Sequence, residues 1–492
     1  QLHLAGYDWR LDATRLERRD AYFTRLRRTV ETLCETNCGR KVAILAHSLG
    51  ANHALYFFNW VEARDAGWTE RHVDSVTTIG GAFLGAPKCL PYLISGEMTD
   101  AFQTLGDLFA RLSEAHGGLG RDALVNLTRS WGSVASLLPK GGDAVWGAAA
   151  PDVAEAEEED DDDTGRGGLV SSAASSSSSD EEGVGADADD GTNNNSDVTD
   201  AVVEIVDPQH GKTSFGAAEA VAFLRRIAPR YMALVDQEYA LGPDVAPAKT
   251  TPAPMVDRLL DPRAWSNPLL APLPNAPSLK IYCLYGVGRA TPRTIRFAPL
   301  KHHHNNHGGD DVSGVDPQIV DPSSSDEAAS RRRFEISRRG GVVDGDGDGT
   351  VPLVSLGYMC AEGWQSRRLN PARARVVTKE YTHQEIAARD VVTRPLEFVQ
   401  GLANDRNADH ITILGNRELI GDVLDIVLDD TTLQTSAVVS DICALAGHVD
   451  LYGDKVDDGA LDACRRAGSS SGPTPAVPAA DGSSSSSRTA RE

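Results

Sequence analysis

The stretch Ala46-His47-Ser48-Leu49-Gly50 constrains this chain more than any other. The apolar run Val42-Ala43-Ile44-Leu45 leads into it, and a helical pattern carrying Leu55, Phe58 and Val61 leads out. Strand, sharp turn with a central serine, then helix is a nucleophile elbow. The turn is strained and brings strand and helix close together, so the positions two before and two after the serine must be small. Ala46 and Gly50 meet that demand, with alanine standing where glycine is commoner. The pattern predicts a strand over 42–46 and Ser48 as a nucleophile. It also makes the N–H of Leu49, at the start of the helix, one donor to an oxyanion.

Helical and extended patterns alternate around the elbow. Residues 11–36 carry Leu16, Phe23, Leu26, Val30 and Leu33 at helical spacing. Further strands are expected over Gln1 to Ala5, 76–81 and 279–286, a helical stretch near 216–234, and a last helix over about 416–428. Such alternation implies a mainly parallel sheet, and with the elbow it predicts an α/β-hydrolase fold with a cap insertion. Residues 1–90 and 281–430 read as two parts of the core, 91–280 as the cap or lid region, and 431–492 as a C-terminal extension.

The formal charge is −23, unevenly placed: residues 151–200 hold 17 Asp and Glu against one Arg, and the other 442 residues carry only −7. That acidic, then Ser-rich, then Asn/Asp-rich insert cannot bury enough apolar surface to offset its ordering entropy and is expected to be disordered. The same holds for 301–330 and for the tail from about 466. No basic stripe suits nucleic acid, and no apolar run is long enough to span a bilayer. The chain opens without Met and in mid-pattern, so it is expected to be an N-terminally truncated fragment, with any anchor upstream. None of the seven cysteines has zinc-type spacing, and most read as free buried thiols.

A serine nucleophile needs a base, and the base an orienting acid. Gly345-Asp346-Gly347-Asp348-Gly349-Thr350 offers two carboxylates in a tight loop, and Ala408-Asp409-His410-Ile411 follows. The order Ser48, Asp348, His410 is that of the fold, with Asp346 the competing acid and His383 the competing base. His47 occupies the variable position of the elbow, and His53, on the helix after it, reads as packed. Asp344-x-Asp346-x-Asp348-Gly349 also matches half of a calcium loop. Ser355 stands where Glu should close it and Pro352 interrupts it, so no metal or other cofactor is expected. The second oxyanion donor normally comes from a loop after an earlier strand, expected upstream of residue 1.

Six ordered blocks then resemble the lecithin:cholesterol acyltransferase family: Tyr7-Asp8-Trp9-Arg10-Leu11, Phe83-Leu84-Gly85-Ala86-Pro87-Lys88, Ser136-Leu137-Leu138-Pro139-Lys140-Gly141-Gly142, Leu284-Tyr285-Gly286-Val287-Gly288, Asp346 to Leu353, and Asp409 to Asn416. Leu-Leu-Pro-Lys-Gly-Gly resembles the branch that acylates diacylglycerol. The resemblance implies a catalytic triad of Ser48, Asp348 and His410. It further implies an acyl-enzyme, a phospholipid donor, a diacylglycerol acceptor yielding triacylglycerol, and work at a membrane surface. It places Asp8, Trp9 and Arg10 near the mouth of the site, where a structural Asp8–Arg10 ion pair is the competing reading. It aligns Cys283 and Cys360 with a disulfide, hence the lumenal side of the endoplasmic reticulum membrane. The sequons at Asn126 and Asn194 are compatible with that side. The rival functions are a lipase or phospholipase A with water as acceptor, and a lipid-binding protein without turnover.

Overall fold

The computed structural model describes residues 1–96, 121–147, 201–207, 211–241, 261–299, 334–337, 341–384, 406–428, 435–449 and 451. The inserts at 151–200 and 301–330 and the tail beyond 466 lie outside these. In chain order the described strands are β1 (Val42–His47), β2 (Val73–Ile79), β3 (Val203–Asp207), β4 (Gly211–Phe215), β5 (Lys280–Val287), β6 (Thr291–Pro299), β7 (Phe334–Ile336), β8 (Val342–Gly345) and β9 (Arg375–Thr382). Strands β1-β2-β5-β9 lie side by side in that order, every pair parallel. This mainly parallel sheet, with helices packed against it, is an α/β-hydrolase-like arrangement. Strand β5 is buried from Ile281 to Val287, the mark of a parallel strand covered on both faces.

A second sheet was not foreseen in the sequence. Its order is β4-β3-β6-β7, with β8 also on β6, and only the β3–β6 pair is parallel. Strand β6 follows β5 after three residues, and β8 leads directly into the Asp loop, so this sheet carries that loop to the carboxyl end of the first.

Several local expectations change. The helix expected over 11–36 is two helices, Ala13–Asp20 and Tyr22–Thr36, broken at Ala21 with φ 49°. The Glu17 carboxylate accepts the N–H groups of Phe23 and Thr24 and so caps the second helix, a side-chain option that periodicity does not reveal. Residues 1 to 5 form no strand; the Ala5 carbonyl accepts the Tyr22 hydroxyl instead of a ladder bond. The stretch near 216–234 divides into Ala217–Ile227 and Pro229–Glu238, with proline tolerated at the first turn because its missing N–H would be unpaired there.

Helix Arg417–Leu428 is not the last one. The chain returns to the sheet, where Ala437 bridges Lys379 and the buried Glu380 carboxylate accepts the Tyr285 hydroxyl, the N–H groups of Val439 and Ser440, and the Ser440 hydroxyl. Helix Ile442–His448 then packs on helix Leu353–Ala361, at Gly357, where a Cβ would meet Ile442 at 2.5 Å. Cys283 on β5 is bonded to Cys360 on helix Leu353–Ala361. Cys443 is also in a disulfide, against the free thiol expected, whereas Cys34, Cys38 and Cys89 are free. No described helix is long and apolar enough to cross a membrane.

Candidate active site

Strand β1 ends at His47, helix Leu49–Glu62 begins at the next residue but one, and Ser48 alone makes the turn. Its backbone has φ 53° and ψ −124°, outside the favoured regions for an L-residue. The Ser48 N–H donates to the carbonyl of Ile79 at the end of β2, 2.9 Å away, which holds the turn against the sheet. Leu49 N–H lies in the first turn of the helix, where N–H groups have no intrahelical acceptor. It is therefore available to an anion beside Ser48.

The Asp and His loops come to the same edge. His410 Nε2 is 2.7 Å from Ser48 Oγ, and His410 Nδ1 is 2.6 Å from Asp348 Oδ2. Asp348 and His410 are 1% and 6% exposed, so the relay is largely withdrawn from water. The other oxygen of Asp348 accepts the N–H groups of Thr350 and Val351, leaving Oδ2 aimed at the imidazole. The loops are also joined through the backbone, His410 N–H donating to Asp348 O at 2.8 Å. A serine, a base touching it and a buried carboxylate orienting the base can carry out nucleophilic acyl transfer.

Two glycines make this convergence possible. Gly80 follows β2 with φ +56°, and a Cβ there would sit 3.2 Å from His410 Nδ1 and 3.3 Å from Asp348 Oδ2. Gly286, near the end of β5, would meet the Ala408 carbonyl at 1.8 Å. Any side chain at Gly286 would push the His loop away.

The competing residues are placed elsewhere. Asp346 accepts the N–H groups of Gly288 and Gly347, so it shapes the loop while Asp348 faces the histidine. The two carboxylates are thereby engaged by separate partners. His383 Nε2 faces Arg289. His53 is buried edge-on against Tyr7, and burial lowers its pKa to about 4. His47 is unexpectedly close: its Nε2 is 2.8 Å from the His410 carbonyl and its ring centroid 5.1 Å from that of His410. Its pKa is lowered, chiefly by burial.

Asp8 and Arg10 form a two-point ion pair at 2.8 and 3.0 Å, shared with Arg19 at 3.2 Å. Trp9 packs edge-on against Trp131, and Ser133 N–H donates to the Arg10 carbonyl. The block thus ties the N-terminal segment to the chain entering Ser136-Leu137-Leu138-Pro139-Lys140-Gly141-Gly142, while Tyr7 reaches the elbow helix near Gly50. The Lys140 ammonium, fully buried, donates to the carbonyls of Phe83 and Ser136. Asn52 of the elbow helix donates to the Ala82 and Ser136 carbonyls. Three of the sequence blocks are therefore stitched together by backbone carbonyls behind the serine.

A model of the lecithin:cholesterol acyltransferase family matches residues 1–417. This chain belongs to the lecithin:cholesterol acyltransferase family. Among curated relatives, the phospholipid:diacylglycerol acyltransferase of Schizosaccharomyces pombe is 29% identical over 462 residues, covering 91% of this chain and 60% of its own length. The phospholipid:diacylglycerol acyltransferase of Saccharomyces cerevisiae is 30% identical, covering 84% of this chain and 52% of its own. A shorter match, 35% over 95 residues, is to a phospholipid–sterol O-acyltransferase of Arabidopsis thaliana. The chain spans a little over half the length of the two yeast relatives. The sequence reading gave no structural part to His47, Gly80, Glu380 or Lys88, whose ammonium donates to the Gly349 carbonyl beside Asp348; for Lys88 the available signal was a lysine ending an otherwise apolar family block.

Proposed function

We propose that this chain carries the catalytic centre of an O-acyltransferase that moves a fatty acyl group from a phospholipid to diacylglycerol. The observation that carries the proposal is the continuous relay Ser48 Oγ, His410 Nε2, His410 Nδ1, Asp348 Oδ2 at 2.7 and 2.6 Å. In the first half-reaction His410 Nε2 takes the Ser48 proton as Oγ attacks the ester carbonyl. Asp348 holds the imidazole in the tautomer that does so and stabilises the imidazolium. Leu49 N–H donates to the oxyanion that forms. Collapse breaks the bond to the glycerol oxygen, which leaves as the lysophospholipid hydroxyl after taking the proton from His410. In the second half His410 removes the proton of the diacylglycerol hydroxyl. That oxygen attacks the acyl-Ser48 carbonyl, Ser48 Oγ leaves and regains the proton, and triacylglycerol departs.

The named activities of the yeast and plant relatives support this choice of donor and acceptor. The buried Cys283–Cys360 disulfide supports a catalytic domain in an oxidising compartment, here the lumenal side of the endoplasmic reticulum membrane. Substrates of this kind put the site at a membrane surface. The test is the full-length protein supplied with phospholipid labelled in its acyl chain and unlabelled diacylglycerol. Labelled triacylglycerol is expected, and its loss in Ser48→Ala. Labelled free fatty acid without labelled triacylglycerol would replace the transferase by a phospholipase. Failure of a fluorophosphonate probe to label Ser48 would leave only a lipid-binding protein.

A further inference from the structure

Lys88 closes the block Phe83-Leu84-Gly85-Ala86-Pro87-Lys88 and points into the protein. It is only 5% exposed. A lysine left on a surface would keep its ammonium in water, and burying it is costly unless its hydrogen bonds are replaced. Here Nζ donates to the carbonyl of Gly349 at 2.7 Å and reaches the Thr350 hydroxyl at 3.4 Å. Those two residues directly follow Asp348, whose Oδ1 is held by the N–H groups of Thr350 and Val351. On its other side the loop is fixed by Gly349 N–H donating to the Thr291 hydroxyl at 2.8 Å. Gly349 has φ +85°, and its carbonyl is turned to the ammonium by that left-handed step.

We propose that Lys88 is a positioning residue for the acyl-transfer reaction: its ammonium clamps the Gly349–Thr350 turn so that Asp348 Oδ2 stays aimed at His410, and it places a fixed positive charge behind the triad carboxylate. This rests on the reading of Ser48, His410 and Asp348 as the catalytic relay. The surrounding charges fit the role. Burial pulls the Lys88 pKa down to about 8, opposed by Asp409, Asp348 and Asp344 and reinforced by Arg289. The ammonium is therefore held charged at neutral pH by carboxylates around it, Asp409 first and then Asp348 and Asp344. Facing His410 itself are Asp348, the serine hydroxyl and the ring of His47, with Asp409 adjacent in the chain.

Two consequences separate this role from simple packing. Removing a nearby positive charge makes the imidazolium of His410 easier to form, so the acid limb of the pH–rate profile moves to higher pH. Loss of the Lys88 proton on the alkaline side removes both the charge and the strongest form of the clamp.

The experiment measures acyl transfer from labelled phospholipid to diacylglycerol across pH by the full-length protein, as wild type, Lys88→Met, Lys88→Arg and Ser48→Ala. Lys88→Met is expected to lower kcat by about tenfold or more with KM changed by less than about twofold, because the defect lies in aiming the acid rather than binding lipid. Its acid limb is expected to move up. Wild type is expected to lose activity on the alkaline side as Lys88 loses its proton, and Lys88→Arg, which cannot lose its proton, is expected to recover much of kcat and to lack that fall. A Lys88→Met enzyme with wild-type kcat and an unmoved acid limb overturns the role, as does a raised KM at unchanged kcat. Should Lys88→Met not fold, a Lys88→Arg enzyme that keeps the wild-type alkaline fall overturns it instead. Ser48→Ala separates the two levels: if it still transfers acyl chains, the relay reading fails. If it is inactive while Lys88→Met behaves as wild type, only the Lys88 role fails.

Discussion

Gly80→Ala tests whether the spacing around the His410–Asp348 bond sets the rate. A Cβ at Gly80 would stand 3.2 Å from His410 Nδ1, 3.3 Å from Asp348 Oδ2 and 3.3 Å from His410 Cε1. These distances are a few tenths of an ångström too short for comfort, and the atoms met are the two that make the 2.6 Å bond. The backbone adds its own cost, since φ is +56° and an L-alanine there loses roughly 1–2 kcal/mol. At about 2.1 cal/mol/K of unfolding entropy per residue, for a chain of this size that corresponds to a Tm lower by only about 1–3 °C, so the variant should still be folded near room temperature. The rate should suffer more than the stability. A misplacement of about 1 Å costs on the order of a hundredfold, and a shift of a few tenths should cost about tenfold, or ~1.4 kcal/mol of barrier. The assay is the second-order rate of fluorophosphonate labelling at Ser48, followed beside a thermal melt and acyl transfer. Gly80→Ala that labels at the wild-type rate while its Tm falls would refute the link between this glycine and the relay. Gly80→Val should be worse in both respects.

Other outcomes follow from the same geometry. His410→Ala and Asp348→Asn should each lower kcat by about 10⁴-fold or so, whereas His383→Ala and Asp346→Asn should spare the chemical step; turnover in the first pair or its abolition by His383→Ala would reverse the assignment. Replacing Cys283 and Cys360 together by Ala should cost up to about 4.5 kcal/mol through the 77-residue separation they close, read as a lower denaturation midpoint; an unchanged midpoint would contradict it. His53 has its pKa lowered to about 4 by burial, so the unfolded chain takes up that proton first as pH falls. The stability due to keeping His53 neutral is complete above about pH 6.5 and is lost between there and about pH 4. His53→Phe should flatten that part of the pH–stability curve, and an identical curve would show that His53 does not contribute.

The elbow was legible because its chemistry is local. A strained serine between a strand and a helix demands small residues at fixed offsets, and Ala46 and Gly50 stand there. The parallel sheet was legible for a similar reason, since its buried strands are short apolar runs. The break at Ala21 was not, because it depends on where the Glu17 carboxylate points. Neither was the docking of Ser436–Val449, which is organised by one buried glutamate from β9, 59 and 60 residues before the Val439 and Ser440 groups it binds. The second sheet was missed because all its strands but β6 are three to five residues long, too short for a period, and β7 lies far along the chain from its partner β6.

For the site, the sequence by itself determined which groups could react and the order in which they stand: a serine in an elbow, carboxylates in a glycine loop, and histidines downstream. It left Asp346 against Asp348 open, and His383 against His410, until family resemblance was brought in: the two aspartates share one glycine loop, and both histidines follow that loop in the order the fold requires. Only the tertiary structure decided which way each side chain faces. Asp346 turns to the N–H of Gly288, Asp348 turns to His410, and His383 turns to Arg289. Those directions come from contacts between segments 58, 62 and 94 residues apart, made where the ends of β1, β2 and β5 meet. Lys88 belongs to the same category. Its place behind Asp348 follows from the packing of two loops that no local pattern connects.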